Sequence, residues 1–138
     1  MRNLWNISNL EAETKNSPNR ILEEQAKHFE KSTKDVLYCN ISNFTIKNAV
    51  FDSYKLATKF AIVAPNLDKY TYVVCTIFSN PETDYPVSIK ENGDIGNVID
   101  QGTECQDYDE LVEELERILS SEKVTNVIRN LYSKSKTI

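Results

Sequence analysis

"YKLATKFAIVA", residues 54–64, decides the fold. Tyr54, Leu56, Thr58, Phe60, Ile62 and Ala64 occupy every second position, with Lys55 and Lys59 among the residues between them. Side chains of an extended chain alternate between faces, so this pattern predicts a β-strand with one buried face. The stretches on either side, "LYCNISNFTI" (37–46) and "YTYVVCTIF" (70–78), are rich in the β-branched and aromatic residues that fit a pleated surface. "APNLDK" (64–69) supplies the Pro, Asn and Asp of a turn between strands. Further on, "YPVSI" (85–89) reads as a fourth strand with Tyr85, Val87 and Ile89 on one face. Asn92-Gly93 is a strong hairpin signal leading into a short strand near Ile95–Ile99.

Outside this run the period changes to that of a helix. Ser17 is suited to cap a helix, and Pro18 to its first position, where the missing N–H has no intrahelical acceptor. Ile21, Leu22, Ala26, Phe29 and Thr33 then form one stripe, and Gln25 falls inside it. A buried amide must satisfy its donors and acceptor, so Gln25 is expected to clamp the helix to the amino-terminal arm or to a sheet edge. The other reading puts it in the wall of a pocket. At the carboxy-terminal end, Asp107 with Glu110 fits a capping box, and Leu111, Val112, Leu115, Ile118 and Leu119 make the next stripe. Ser120-Ser121 interrupts it and caps a last helix carrying Val124, Val127, Ile128 and Leu131. Residues 133–138, "SKSKTI", are expected to fray, and residues 1–16 to dock as an arm anchored by Trp5 with Leu4, Ile7 and Leu10.

Short connections imply antiparallel neighbours, because parallel crossovers need about a dozen residues or more. Helices with one apolar stripe each cover one face of a sheet. The expected fold is therefore α+β: an antiparallel sheet of about four to five strands, covered on one face by an N-terminal helix and two C-terminal helices. Residues 1–138 are expected to form a single globular domain.

The segments "SPNRILEEQAKHFEKST", "FAIVAPNLDKYTYVVCTI", "YPVSI" and "LSSEKVTNVIRNL" resemble a group of small uncharacterised bacterial proteins, notably of gut anaerobes. The resemblance covers most of the chain from about residue 17. It implies a bacterial, cytoplasmic, single-domain protein and carries no activity, ligand or catalytic residue with it.

Composition narrows the function by subtraction. A net charge of −5 argues against nucleic acid as a partner, since phosphate binding needs a basic surface. No apolar run approaches the ~20 residues of a membrane span, and the first residues lack the apolar core of a signal peptide, so a cytoplasmic location is expected. Cys39, Cys75 and Cys105 are odd in number, far apart and without a C-x-x-C pair, which fits neither a disulfide framework nor a zinc knuckle. Gly93, Gly96 and Gly102 form no phosphate-binding pattern. No metal and no cofactor are expected. His28 is the only histidine, and it would have to meet Cys39 or Cys75 across the sheet to activate a thiol. Cys75 is expected to share a strand face with Thr71, Val73 and Ile77.

"ECQDYDELVEELE" (104–116) is the strongest charge feature. Its early acids favour the helix dipole, and a solvated face explains much of the rest. Its functional reading is a docking surface for a basic protein partner, with Glu110, Glu113 and Glu114 in contact. The chain then reads as a small acidic, non-enzymatic protein-binding domain of immunity, antitoxin or regulatory type. The alternative is a small-molecule-binding or enzymatic domain with a cleft between helices and sheet, lined by Gln25, Tyr72 and Cys75.

Overall fold

The computed structural model describes residues 1–47, 54–91 and 102–137. The elements run α1 (Leu10–Glu13), α2 (Pro18–Ser32), β1 (Tyr38–Thr45), β2 (Leu56–Ala64), a 3-10 turn (Pro65–Leu67), β3 (Tyr70–Asn80), β4 (Thr83–Glu91), β5 (Thr103–Cys105), α3 (Tyr108–Leu119) and α4 (Glu122–Lys136). The five strands form one sheet in the order β1-β2-β3-β4-β5, and every neighbouring pair is antiparallel. Each strand hydrogen-bonds to the next in sequence, as short connections require. The hairpin expected at Asn92-Gly93 and the strand near Ile95–Ile99 lie outside the described residues. The strand that closes the described sheet is β5, pairing Thr103–Cys105 with Val87–Ile89.

The helix starts follow the local chemistry. Ser17 Oγ accepts from Arg20 N–H (3.4 Å), Asp107 Oδ1 from Glu110 N–H (2.9 Å) and Ser121 Oγ from Val124 N–H (3.2 Å). Each bond satisfies one of the donors that a helix leaves open in its first turn. The helices pack against the sheet through Ile21, Leu22 and Ala26 of α2, Leu111, Leu115 and Ile118 of α3, and Val124 and Leu131 of α4. Phe60, Ile62, Cys75, Ile77, Val87 and Ile89 meet them from the strands. Leu22, Leu37 and Leu111 are fully enclosed, which marks the centre of this layer.

The strands depart from simple alternation in two places. Phe60 pairs with Cys75 but Ala61 pairs with Val73, so Val74 is an extra residue on β3, a β-bulge. The bulge turns Cys75 and Ile77 to the helical side with Tyr72, and leaves Thr71 and Val73 on the other. The expected sharing of a face by Cys75, Thr71 and Val73 is corrected on that ground. The second departure is on β2, where Ala57, Ala61 and Val63 are buried although they point away from the helices. Tyr54, Ala57 and Phe78, with Phe44 and Ile46 packed on them, make a small second core. The strand therefore buries both faces over much of its length, not one.

The termini also differ from expectation. The arm does not dock in the structure: Leu4, Trp5, Ile7 and Leu10 are 69%, 77%, 57% and 56% exposed, and α1 buries no residue. A one-turn helix offers too small a face to compete with solvation. The expected fraying of 133–138 is corrected over its first part, because α4 continues to Lys136. Ser135, four residues after Leu131, is buried, and its carbonyl accepts from Asn66 Nδ2 in the 3-10 turn at 3.3 Å. A small side chain at that position lets the last helical turn approach the body closely.

Candidate functional site

The placement of the helices leaves a trough. Helix α2 lies on β1, at one edge of the sheet, while α3 lies across β4, β5 and β3. Between them the floor is formed by the central strands. The first part of the trough, about 380 Å³, runs between α2 and α3 and is walled by Ile21, Tyr108, Val112, Leu115 and Leu119, with Glu24 and Glu116 at its rim. Below and beyond it lies a recess of about 240 Å³, floored by Phe60, Ile62 and Val74 and closed by Val124 and Ile128. A third opening of about 410 Å³, between α2 and α4, is bounded by Phe29, Ile128, Arg129 and Tyr132. The three adjoin: Gln25 and Leu119 border the first two, and Phe29, Ser32 and Ile128 the last two.

Gln25 is therefore a wall residue of the trough and not a clamp. Its backbone follows the helix, but its side chain makes no hydrogen bond with the described residues, and the arm expected to meet it is elsewhere. Gln25→Leu is expected to raise stability by about 1 kcal/mol, because a half-buried amide without a protein partner is replaced by an apolar side chain of similar reach. That gain should be read as a rise of a few degrees in the thermal midpoint. A fall in the midpoint would mean that the amide is held in place after all.

The other sequence-derived candidates separate. Cys75 is fully buried and Tyr72 packs against the core; neither borders the trough. Cys39 and His28 do line the recess with Gln25, a meeting that sequence spacing alone did not show. The Cys39 thiol is a poor nucleophile there: burial, with the Glu30 carboxylate beside it, pushes its pKa up to about 12. Burial, the nearby Cys39 and Glu91 push Cys75 to about 12 as well. Among the described residues, no group of three His, Cys, Asp or Glu side chains is arranged to hold a metal ion.

The three acidic candidates on α3 have unequal freedom. Glu110 Oε1 accepts at 2.8 Å from the N–H of Gln106, the residue before the Asp107 cap, so the expected capping box forms with its return bond one residue early. Glu114 is paired with Arg117, which also reaches Glu91 at 3.0 Å. Both hydrogen bonds hold the Arg117 guanidinium firmly protonated. Glu113 alone of the three is exposed with no ion pair or hydrogen bond among the described residues. Glu113 and Glu116 lie one turn apart on α3, and Glu116 faces Glu24 across the trough. Sequence reading missed Glu24 and Glu116 as a pair, since only the packing of α2 beside α3 brings them to one rim.

No family model, curated protein or solved structure matches the chain. The described residues contain no helix long and apolar enough to cross a membrane.

Proposed function

We propose that this protein works by binding, taking a basic amphipathic segment of a protein partner into the trough between α2 and α3. The observation that carries the reading is the pairing of an apolar trough with an acidic rim, Glu24 on one side and Glu116 on the other. Apolar side chains of the partner would fill the space along Val112 and Leu119, and its Lys or Arg residues would meet the rim. Helix-in-groove recognition has this form: apolar anchors supply affinity, and complementary charge speeds encounter. The net charge of −5 extends the attraction beyond the contact itself. Buried, protonated thiols favour binding over thiolate chemistry. A bacterial, cytoplasmic immunity, antitoxin or regulatory protein that blocks a basic partner fits this description.

A small apolar ligand in the recess is the second reading, favoured by the Phe60, Ile62 and Val74 floor. At about 240 Å³ the recess falls below the roughly 300–1,000 Å³ of ordinary ligand pockets. Of Gln25, Tyr72 and Cys75, expected to line a cleft, only Gln25 borders the recess.

The test is capture from the native host by tagged wild type, set beside a Glu24→Lys/Glu116→Lys variant. Wild type is expected to retain one stoichiometric basic protein. With that partner purified, the double reversal should slow association about tenfold at low ionic strength, and the difference should shrink as salt rises. Glu110 and Glu114 are poor choices for reversal, since each would also disturb α3. Equal association rates for wild type and variant at low salt would exclude the rim from the interface.

A further inference from the structure

We infer that in the free protein the trough is closed by the amino-terminal arm of a second copy of this chain, each chain lending its arm to the other. The inference stands on the arm and the trough, and does not need the partner proposed above.

The chain carries two apolar surfaces that fit one another and are both open. The arm presents Leu4, Trp5, Ile7 and Leu10, with Trp5 77% exposed. The trough presents Val112, Leu119, Phe29 and Ile128, all only partly covered. Their lengths agree. From Leu4 to Leu10 an extended chain spans roughly 20 Å, and the trough along α2 from Ile21 to Thr33 spans roughly 18 Å. Their charges agree as well where α2 faces α3: residues 1–10 contain Arg2 and no acid, and the rim there carries Glu24 and Glu116, Arg129 lying at the far opening.

The arm stands clear of its own trough. Its base is tied by Glu11 to Arg20 in the first turn of α2 (3.1 Å), and by the Tyr85 hydroxyl donating to the Asn16 carbonyl (3.0 Å). Beyond that base every residue is exposed. A two-fold exchange covers both arms and both troughs at once, as an isologous interface does. An indole contributes roughly 150–250 Å² and the three aliphatic side chains a similar sum, so two exchanged arms and their troughs bury on the order of 1,200–2,000 Å² in total. That is the size of a stable, specific interface, which begins near 1,200 Å².

Trp5 is the only tryptophan in the chain, so its emission reports the arm directly. Sedimentation velocity and Trp5 emission should be followed on the full chain from about 1 to about 200 μM, a range that spans micromolar self-association. The expected result is a rise from 15.8 kDa towards twice that mass, with the emission moving to the blue over the same concentrations. Trp5→Ala and Ile128→Lys should each weaken self-association roughly thirtyfold or more, the loss typical of a central anchor. Mixing the two variants is the stringent measurement. The Trp5→Ala chain keeps an intact trough and the Ile128→Lys chain an intact arm, so the mixture should associate where neither variant does alone. A monomer with the emission of a water-exposed indole throughout would overturn the inference. So would a monomer whose emission is already blue-shifted, which would place the arm in its own trough. A dimer indifferent to both substitutions would put the contact elsewhere.

Discussion

In the monomer, Leu22→Ala is expected to lower the unfolding free energy by about 2–5 kcal/mol, while Leu119→Ala lowers it by only about 1 kcal/mol. The two residues have the same chemistry and both lie on helices that face the sheet. Leu22 is fully buried in α2, with core side chains on every side. Removing its branched end leaves a closed void that the surrounding side chains fill only in part, so a cavity term adds to the lost transfer free energy. Leu119, at the end of α3, is partly buried and borders the trough. Its outer side already meets solvent, so truncation widens an existing opening and makes no closed cavity. Against a total stability of about 5–15 kcal/mol, the first loss is a large share and the second a small one. Urea unfolding followed by far-ultraviolet circular dichroism measures both, and the denaturant slopes should stay equal, since neither change alters the surface exposed on unfolding by much. A cost for Leu119→Ala as large as that for Leu22→Ala would mean that the trough is filled and packed in solution. That filling is itself what the arm exchange would produce, so the comparison should be repeated with Trp5→Ala in the background, where the small cost for Leu119→Ala is expected to hold.

The helices and strands of this fold are legible in the chain because their signals are local. A stripe such as Ile21, Leu22, Ala26 and Phe29 states its own face, and Ser17, Asp107 and Ser121 each occupy the cap position that their side chains suit. Features that depend on two elements are less legible. The bulge at Val74 shows only in the register between β2 and β3, and nothing in "YTYVVCTIF" marks which residue is extra. Ala57 and Ala61 look neutral in sequence, yet neighbours in the sheet cover side chains so small. The candidate site belongs to the same class. Gln25 was identifiable as out of place in an apolar stripe, but whether it meets a partner or an opening depends on how far α3 stands from α2. The rim pair Glu24 and Glu116 comes from residues distant in sequence and made neighbours by packing alone. Exposed apolar residues in the arm could be noticed in the sequence, but their docking depends on a surface that the local chain does not describe.

The largest pH effect should come on the alkaline side, where stability is expected to fall steeply above about pH 9. The cause lies with the buried thiols. Cys75 sits fully enclosed on β3, and burial, with Cys39 and Glu91 nearby, pushes its pKa from the ordinary 9.0 up to about 12. Below pH 9 it is a neutral thiol in the folded and unfolded chain alike, and its contribution does not change with pH. Between 9 and about 12 the unfolded chain releases the proton while the folded chain keeps it, so rising pH favours unfolding. Each unit of that window is worth about 1.4 kcal/mol, so Cys75 alone removes on the order of 3–4 kcal/mol by its upper end. Cys39, raised in the same sense by burial and by Glu30, and Tyr85, raised by burial and by Asp84, act in the same direction. Cys75→Val separates the Cys75 share from the rest: valine is apolar, of nearly the same size, and has no proton to lose. At pH 8 its urea midpoint should lie close to that of wild type. By pH 11 the variant should be the more stable of the two by about 2–3 kcal/mol, the share of the Cys75 window crossed by then. Parallel loss in the two proteins from pH 8 to 11 would show that the Cys75 proton is released in the folded state as easily as in the unfolded one, and hence that the sheet beneath the trough admits water.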